Sequence, residues 1–246
     1  MKSQEKITKS ISIIIPIYNE EKTIMATLKN ILNTFQQYRI NFEIIIIIDI
    51  APNDNSLEII KSLSYKYKEI KYFSRIGKQG IASAIYLGIE NSRKELTMIV
   101  MGDSSEDPMD LVNMIKKMSE GYDMVFANRF SKGSTFKDYP KNKFLANRLC
   151  NNTIRFLFGI HSKDITNAVK VYQTSFLKQI HITSEGFEIF VELPIKSYLL
   201  GAKKFTDIQA HHYAGDPSLS KFNLSKEGPR YIKMVANCFF RRNISI

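Results

Sequence analysis

The chain has little cysteine, no long apolar run and a shortage of acid, and each lack narrows what it can be. Its two cysteines, Cys150 and Cys238, stand far apart and in no metal-ligand spacing. That excludes a disulfide framework and leaves two inert thiols. No run of about 18 apolar residues occurs, so no transmembrane helix is expected. The opening MKSQEKITKS is polar and does not read as a signal peptide. The expectation is a cytoplasmic protein, at most peripheral on the cytoplasmic face of a membrane. Repeats, low-complexity segments and clear linkers are also missing. Asp and Glu number 24 against 35 Lys and Arg, for a net charge of +11. An Ile/Lys/Asn-rich composition accounts for part of that excess. The rest points to an anionic partner: a phosphorylated small molecule, an anionic membrane or nucleic acid. Nucleic acid fits least, because the basic residues show no aromatic interleaving and no binding motif.

What is present suffices for a full core. At 246 residues and 44% hydrophobic, the chain reads as one α/β domain, residues 1–224, with a basic helical tail, 225–246. Five apolar runs, 11–19, 42–50, 70–75, 95–103 and 122–130, are continuous rather than alternating. Such runs are strands covered on both faces, as in a parallel sheet. Helical patterns at 21–37, 56–66, 79–91 and 109–118 separate them, and Asp107-Pro108 reads as an N-cap and first-turn proline. The order β-α-β-α-β-α-β-α-β predicts a Rossmann-like, doubly wound, mostly parallel sheet with helices on both faces. The second half adds a basic helix at 140–158, a short strand at 169–173 and a helix at 186–201 that contains Pro194. An edge strand at 202–210 and a loop at 211–222 follow.

Ligands of such sheets bind beyond the carboxyl ends of the strands. Those ends carry Pro16, Tyr18, Asn19 and Glu20, then Asp49, Ser74 and Arg75, Gly102 and Asp103, and Asn128 and Arg129. A tyrosine there can flank a base, and a glutamate can accept from a base or ribose. The plain alternatives are a core aromatic and a first-turn helix acid. Gly77 and Gly80 permit close backbone approach, and Lys78 beside a helix start suits a phosphate. A simple turn explains the same residues. Residues 102–108 read GDSSEDP. This is either a seat for a divalent cation or only a capped turn.

Four stretches, IIIPIYNEEKTI, IIIDIAPNDNS, IVMGDSSEDP and FANRFSKGS, resemble in order and spacing the family-2 glycosyltransferases of the GT-A fold. DITNAVKVYQ, GFEIFVELPIKSYLLGAK and SLSKF support the likeness downstream. It covers roughly residues 11–224 and is closest to the dolichol-phosphate mannosyltransferase-like branch. The resemblance implies a nucleotide-diphosphate-sugar donor, GDP- or UDP-linked, bound by Pro16, Tyr18, Glu20, Asp49, Lys78, Gly80 and Asp103. It implies Mg²⁺ or Mn²⁺ held at Asp103 and Ser105, with Met101 standing where the family has the first aspartate of its Asp-x-Asp. Ile50 replaces a second aspartate after Asp49. The acceptor implied is a polyprenyl phosphate, met by Arg129, Lys132 and Lys143, with Ser220 and Lys221 in the closing loop. Asp103 and Arg129 are the catalytic pair. That loop lacks the family's arginines, and His211 and His212 are candidates to replace them. Glu188 and Glu192, four apart on one helix, are the candidate bases of a hydroxyl-directed relative. A phosphate acceptor is already largely ionised and needs none. A non-catalytic module that keeps the fold and a nucleotide or lipid-phosphate pocket is the remaining reading.

Overall fold

The isoleucine runs form the middle of a seven-stranded sheet. β1 (Ile11–Ile17) pairs in parallel with β2 (Phe42–Asp49), with Ile11 opposite Phe42 and Ile17 opposite Ile48. Successive side chains enter different cores: Ile13, Ile15, Ile44 and Ile46 go to one, Ile14, Ile45 and Ile47 to the other. A strand buried on both faces favours apolar residues at every position, which is why these runs are nearly continuous. The two polar exceptions inside them, Ser12 of β1 and Glu43 of β2, are buried and bonded to each other at 2.8 Å. The computed structural model describes residues 7–49, 54–75, 80–131, 141–211 and 223–241.

The remaining strands are β3 (Ile70–Arg75), β4 (Leu96–Ile99), β5 (Met124–Asn128), β6 (Lys170–Gln173) and β7 (Phe205–Gln209). The spatial order is β3-β2-β1-β4-β6-β5-β7. β6 lies antiparallel between β4 and β5, and the other pairings are parallel. The carboxyl ends of β1 to β5 and β7 therefore share one edge. β7 is an outer strand, as expected of the edge strand over 202–210.

Helices α1 (Ile24–Gln37), α2 (Ser56–Lys66) and α4 (Pro108–Ser119) cover the first face. The second face is covered by α3 (Ile81–Asn91), α5 (Lys141–Phe158), α6 (Thr174–Leu177), α7 (Ile189–Leu199) and α8 (Leu224–Phe240). α3 sits close on β1 at Gly88, where an added Cβ would lie 2.4 Å from Ile14 Cγ2. Pro194 falls inside α7 without ending it. α8 sends Met234, Val235 and Cys238 into the second core. Among the described residues, no helix is long and apolar enough to cross a membrane.

The strand expected over 95–103 pairs only to Ile99. Val100 N–H still donates to the Ile14 carbonyl, and the chain then turns away from the sheet. That departure creates the acidic turn at residues 101–105.

Candidate functional site

The acidic turn is built against the start of α1. The Thr23 hydroxyl donates to the Gly102 carbonyl at 2.8 Å and that of Thr27 to the same oxygen at 3.2 Å. Thr27 and Ser104 hydroxyls meet at 2.7 Å. These bonds hold Ser104 in the left-handed region, φ 57°. Gly102 leaves room there: an added Cβ would stand 2.6 Å from Ile17 Cδ1 and 3.4 Å from Glu20 Cγ, so a larger residue would have to displace the Ile17 side chain. The turn ends as expected at Asp107, whose side chain accepts from Met109 N–H at 2.8 Å and caps α4, with Pro108 in its first turn.

Within this frame Asp103 is exposed and its carboxylate accepts from Ser105 N–H at 3.1 Å. Ser105 itself is only 3% exposed. Its hydroxyl bonds to Glu106. Burial, with the charge of Asp103 beside it, pushes the Glu106 carboxyl up to about 8. Two repelling carboxyl groups with hard oxygen donors suit Mg²⁺ or Mn²⁺, which one or two carboxylates can hold together with substrate phosphates. Among the described residues, no cluster of three His, Cys, Asp or Glu is disposed to hold a metal. The fit is thus to a cation shared with a ligand rather than one caged by protein.

Beside the turn, β1 is followed by Tyr18, half exposed, and Asn19, in the left-handed region at φ 56°. Glu20 N–H donates to the Ser56 hydroxyl at 3.0 Å, and Glu21 N–H to Asp54 at 2.9 Å. Pro16 pairs with Ile47 inside the sheet, one position before the rim. Asp49 closes β2 opposite Arg75 of β3. Arg75 is buried and its guanidinium donates to the Gly80 carbonyl and the Ser83 hydroxyl, tying the end of β3 to the start of α3. Ile50, Lys78, Lys132, His212, Ser220 and Lys221 lie outside the described residues.

Arg129 stands just past β5. The sequence suggests a fork onto a phosphate, but in the structure the fork closes on Asp164. Arg129 Nε donates to Asp164 Oδ2 at 2.8 Å and Nη2 to Oδ1 at 3.0 Å, while the Arg129 N–H adds a third bond at 3.1 Å. Asp164 is fully buried. Burial alone would raise its carboxyl, but the Arg129 charge and hydrogen bonds hold it below the usual range. Two of the five guanidinium N–H donors serve this pair. The arginine is oriented by protein before any ligand arrives.

A network behind the pair went unseen in the sequence. Asn147 of α5 donates to Asp164 at 3.2 Å, and Lys143 stands one turn earlier on that helix. Lys170 of β6 is wholly buried, and its ammonium donates to the Asn167 carbonyl. Burial brings that ammonium down to about 7, against the upward pull of Asp164 and Asp207. Asp164 and Asn147 were hidden because each looks like an ordinary loop or helix polar residue. Lys170 carried a usable signal, a lysine inside the apolar VKVY run.

Glu192 is fully buried and occupied. It accepts from Thr183 N–H at 2.8 Å and Ser184 N–H at 2.8 Å, and pairs with Lys196 at 2.6 Å. It anchors the 181–184 loop to α7. Glu188 accepts from the Glu185 and Gly186 N–H groups through Oε1, while its buried Oε2 has no hydrogen-bond partner among the described residues. His211, past β7, bonds Asp110 of α4 through both its N–H and Nδ1, and Asp110 raises its pKa.

A mostly parallel sheet whose carboxyl edge gathers an acidic turn, a half-exposed tyrosine and a clamped arginine has the build of a GT-A glycosyltransferase fold. The chain belongs to the family described as Glycosyl transferase family 2, whose model matches residues 12–181. It is 25% identical over 193 residues to a dolichol-phosphate mannosyltransferase of Pyrococcus furiosus, covering 76% of this chain and 52% of the relative. It is 23% identical over 221 residues to an undecaprenyl-phosphate 4-deoxy-4-formamido-L-arabinose transferase of Aeromonas hydrophila, covering 88% of this chain and 64% of that one. The chain thus spans between about half and two thirds of these relatives. Glucosyl-3-phosphoglycerate synthase of Mycobacterium tuberculosis, solved with UDP, superposes with a TM-score of 0.72 at 15% identity, covering 98% of this chain and 82% of that one. The same enzyme with Mn²⁺, UDP-glucose and phosphoglyceric acid gives 0.69 at 15% identity, with 98% and 82% covered.

Proposed function

We propose that the chain is an inverting glycosyltransferase that moves a sugar from a GDP- or UDP-linked donor to a polyprenyl phosphate, working at the cytoplasmic face of a membrane. The observation that carries this reading is the pairing, on one sheet edge, of an exposed acid at Asp103 with an arginine pre-oriented by Asp164. The donor's nucleotide lies against Tyr18, Glu20 and Asp49, with Pro16 beneath and Gly80 and Lys78 toward its phosphates. Asp103 holds Mg²⁺ or Mn²⁺ directly, and Ser105 contributes through Glu106. When bound, that cation supplies charge to stabilise the departing nucleotide diphosphate.

Arg129 receives the acceptor phosphate, with Lys132, Lys143, Ser220 and Lys221 adding donors. One acceptor oxygen attacks the anomeric carbon from the side opposite the nucleotide. The new carbon–oxygen bond forms as the bond to the diphosphate breaks, which inverts the centre. The acceptor is already an anion, so no base is required. The experiment is sugar transfer from GDP- and UDP-sugars to a short-chain prenyl phosphate. Arg129→Ala should lower kcat/KM about 100-fold, with partial recovery in Arg129→Lys. Equal activity of wild type and Arg129→Ala contradicts the acceptor assignment.

One observation favours a second reading, transfer to a sugar hydroxyl. Glu188 Oε2 is buried with no hydrogen-bond partner among the described residues, as a carboxylate awaiting a polar group would be. Glu188→Gln separates the two: a large loss with a soluble sugar acceptor supports it, and unchanged prenyl-phosphate transfer supports the first.

A further inference from the structure

We propose that the outward faces of α5 and α8 form one docking surface for an anionic lipid bilayer. α5 turns Asn147, Asn151, Ile154 and Phe158 inward. Leu145, Leu149 and Phe156 stand on the opposite side, 70%, 68% and 88% exposed. Their spacing keeps them in a single stripe. Lys141, Arg148 and Arg155, each two turns apart, run along the edge of that stripe. α8 repeats the arrangement. Met234, Val235 and Cys238 point inward, Ile232 and Phe240 stand out at 74% and 78% exposure, and Lys226 and Lys233 flank them. The two helices pack side by side, with Phe158 edge-on to Phe239 at 6.1 Å.

A surface helix of a soluble domain ordinarily presents charged and polar residues to water. These two present large apolar side chains framed by cations. α5 contains no acid at all, and Glu227, the single acid of α8, is 6% exposed. That charge selects the occupant. A second copy of the chain would set cationic row against cationic row. An anionic leaflet complements both features, because the apolar side chains enter the headgroup boundary while Lys and Arg remain among the phosphates.

The surface also reaches the acceptor side of the site. Arg148 lies over the ring of Phe130, next to Arg129, at 4.4 Å from the centroid. Asn147, on the inner side of the same helix, bonds the Asp164 that orients Arg129. A bilayer on α5 therefore presents lipid phosphates on the side of the protein that carries Arg129. That purpose rests on the polyprenyl-phosphate reading; binding to the bilayer does not.

The test is co-sedimentation of the full chain with vesicles of phosphatidylcholine alone or mixed with phosphatidylglycerol, without any prenyl phosphate. Wild type should bind the anionic vesicles at least about tenfold more tightly, and added salt should weaken the binding. The Leu145→Ser/Leu149→Ser/Phe156→Ser variant should lose about tenfold, and so should Lys226→Glu/Lys233→Glu, with both melting like wild type because the sites are exposed. Failure of wild type to bind, or equal binding by both variants, overturns the proposal. So does sedimentation velocity that shows a wild-type dimer, dispersed by the serine variant, with no vesicle binding. Transfer to a water-soluble prenyl phosphate separates the two readings. Transfer without vesicle binding sinks the surface and leaves the acceptor; vesicle binding with no transfer does the reverse.

Discussion

Glu106 and Asp164 show how far one carboxyl's surroundings decide its behaviour. Glu106 has its pKa raised from 4.5 to about 8 by burial and by Asp103. Between those values the folded chain keeps a proton that the unfolded chain has lost. Stability should therefore fall as pH rises from about 4.5 to about 8 and level off above. Glu106→Gln removes this dependence, so its melting temperature should change less across that window than wild type; identical profiles would show that Glu106 is ionised throughout. Asp164 is the opposite case, a buried anion kept charged by the partly buried cation beside it. Asp164→Ala strands Arg129 and should cost about 3 kcal/mol in denaturant unfolding. Asp164→Asn keeps the shape but not the charge, and should retain more stability than Asp164→Ala while losing transfer. A stable, fully active Asp164→Asn would mean that Arg129 needs no orienting partner.

At the scale of elements, what could be read from the sequence followed from how local each cause is. The isoleucine runs predicted β1 and β2 because double burial leaves a pattern within a single strand. Asp107-Pro108 predicted the start of α4 because an N-cap acts within three residues. Asp103 was legible for the same reason, as an acid at a strand end. The antiparallel direction of β6 was not legible, since nothing inside a short strand records the orientation of its neighbours. Nor was the Arg129–Asp164 pair, whose partners lie 35 residues apart and meet only through the fold. Gly88 is a further case. Replacing an exposed helix glycine by alanine ordinarily stabilises by about 1 kcal/mol. Here the added Cβ would press on Ile14, which is itself fully buried. Gly88→Ala should instead destabilise by about 1 to 3 kcal/mol in chemical unfolding. A gain in stability would show that β1 and α3 can separate freely.

For the whole molecule, one sheet edge joins the two halves of the chemistry. The β1 and β4 ends bring an aromatic and an acid to that edge, and the β5 end brings a cation; the proposed donor lies at the first pair and the proposed acceptor at the second. Asp103 is the exposed acid of its turn. The central claim therefore rests on Asp103 and is tested most directly by nucleotide binding. The measurement is a thermal-shift series with GDP, UDP and their sugar conjugates, with and without Mn²⁺, on wild type and Asp103→Ala. The account expects one nucleotide to raise the melting temperature of wild type, in the presence of Mn²⁺ only, with the shift lost in Asp103→Ala. No shift with any nucleotide, in a chain that unfolds cooperatively, would contradict it and leave GDSSEDP as no more than a capped turn.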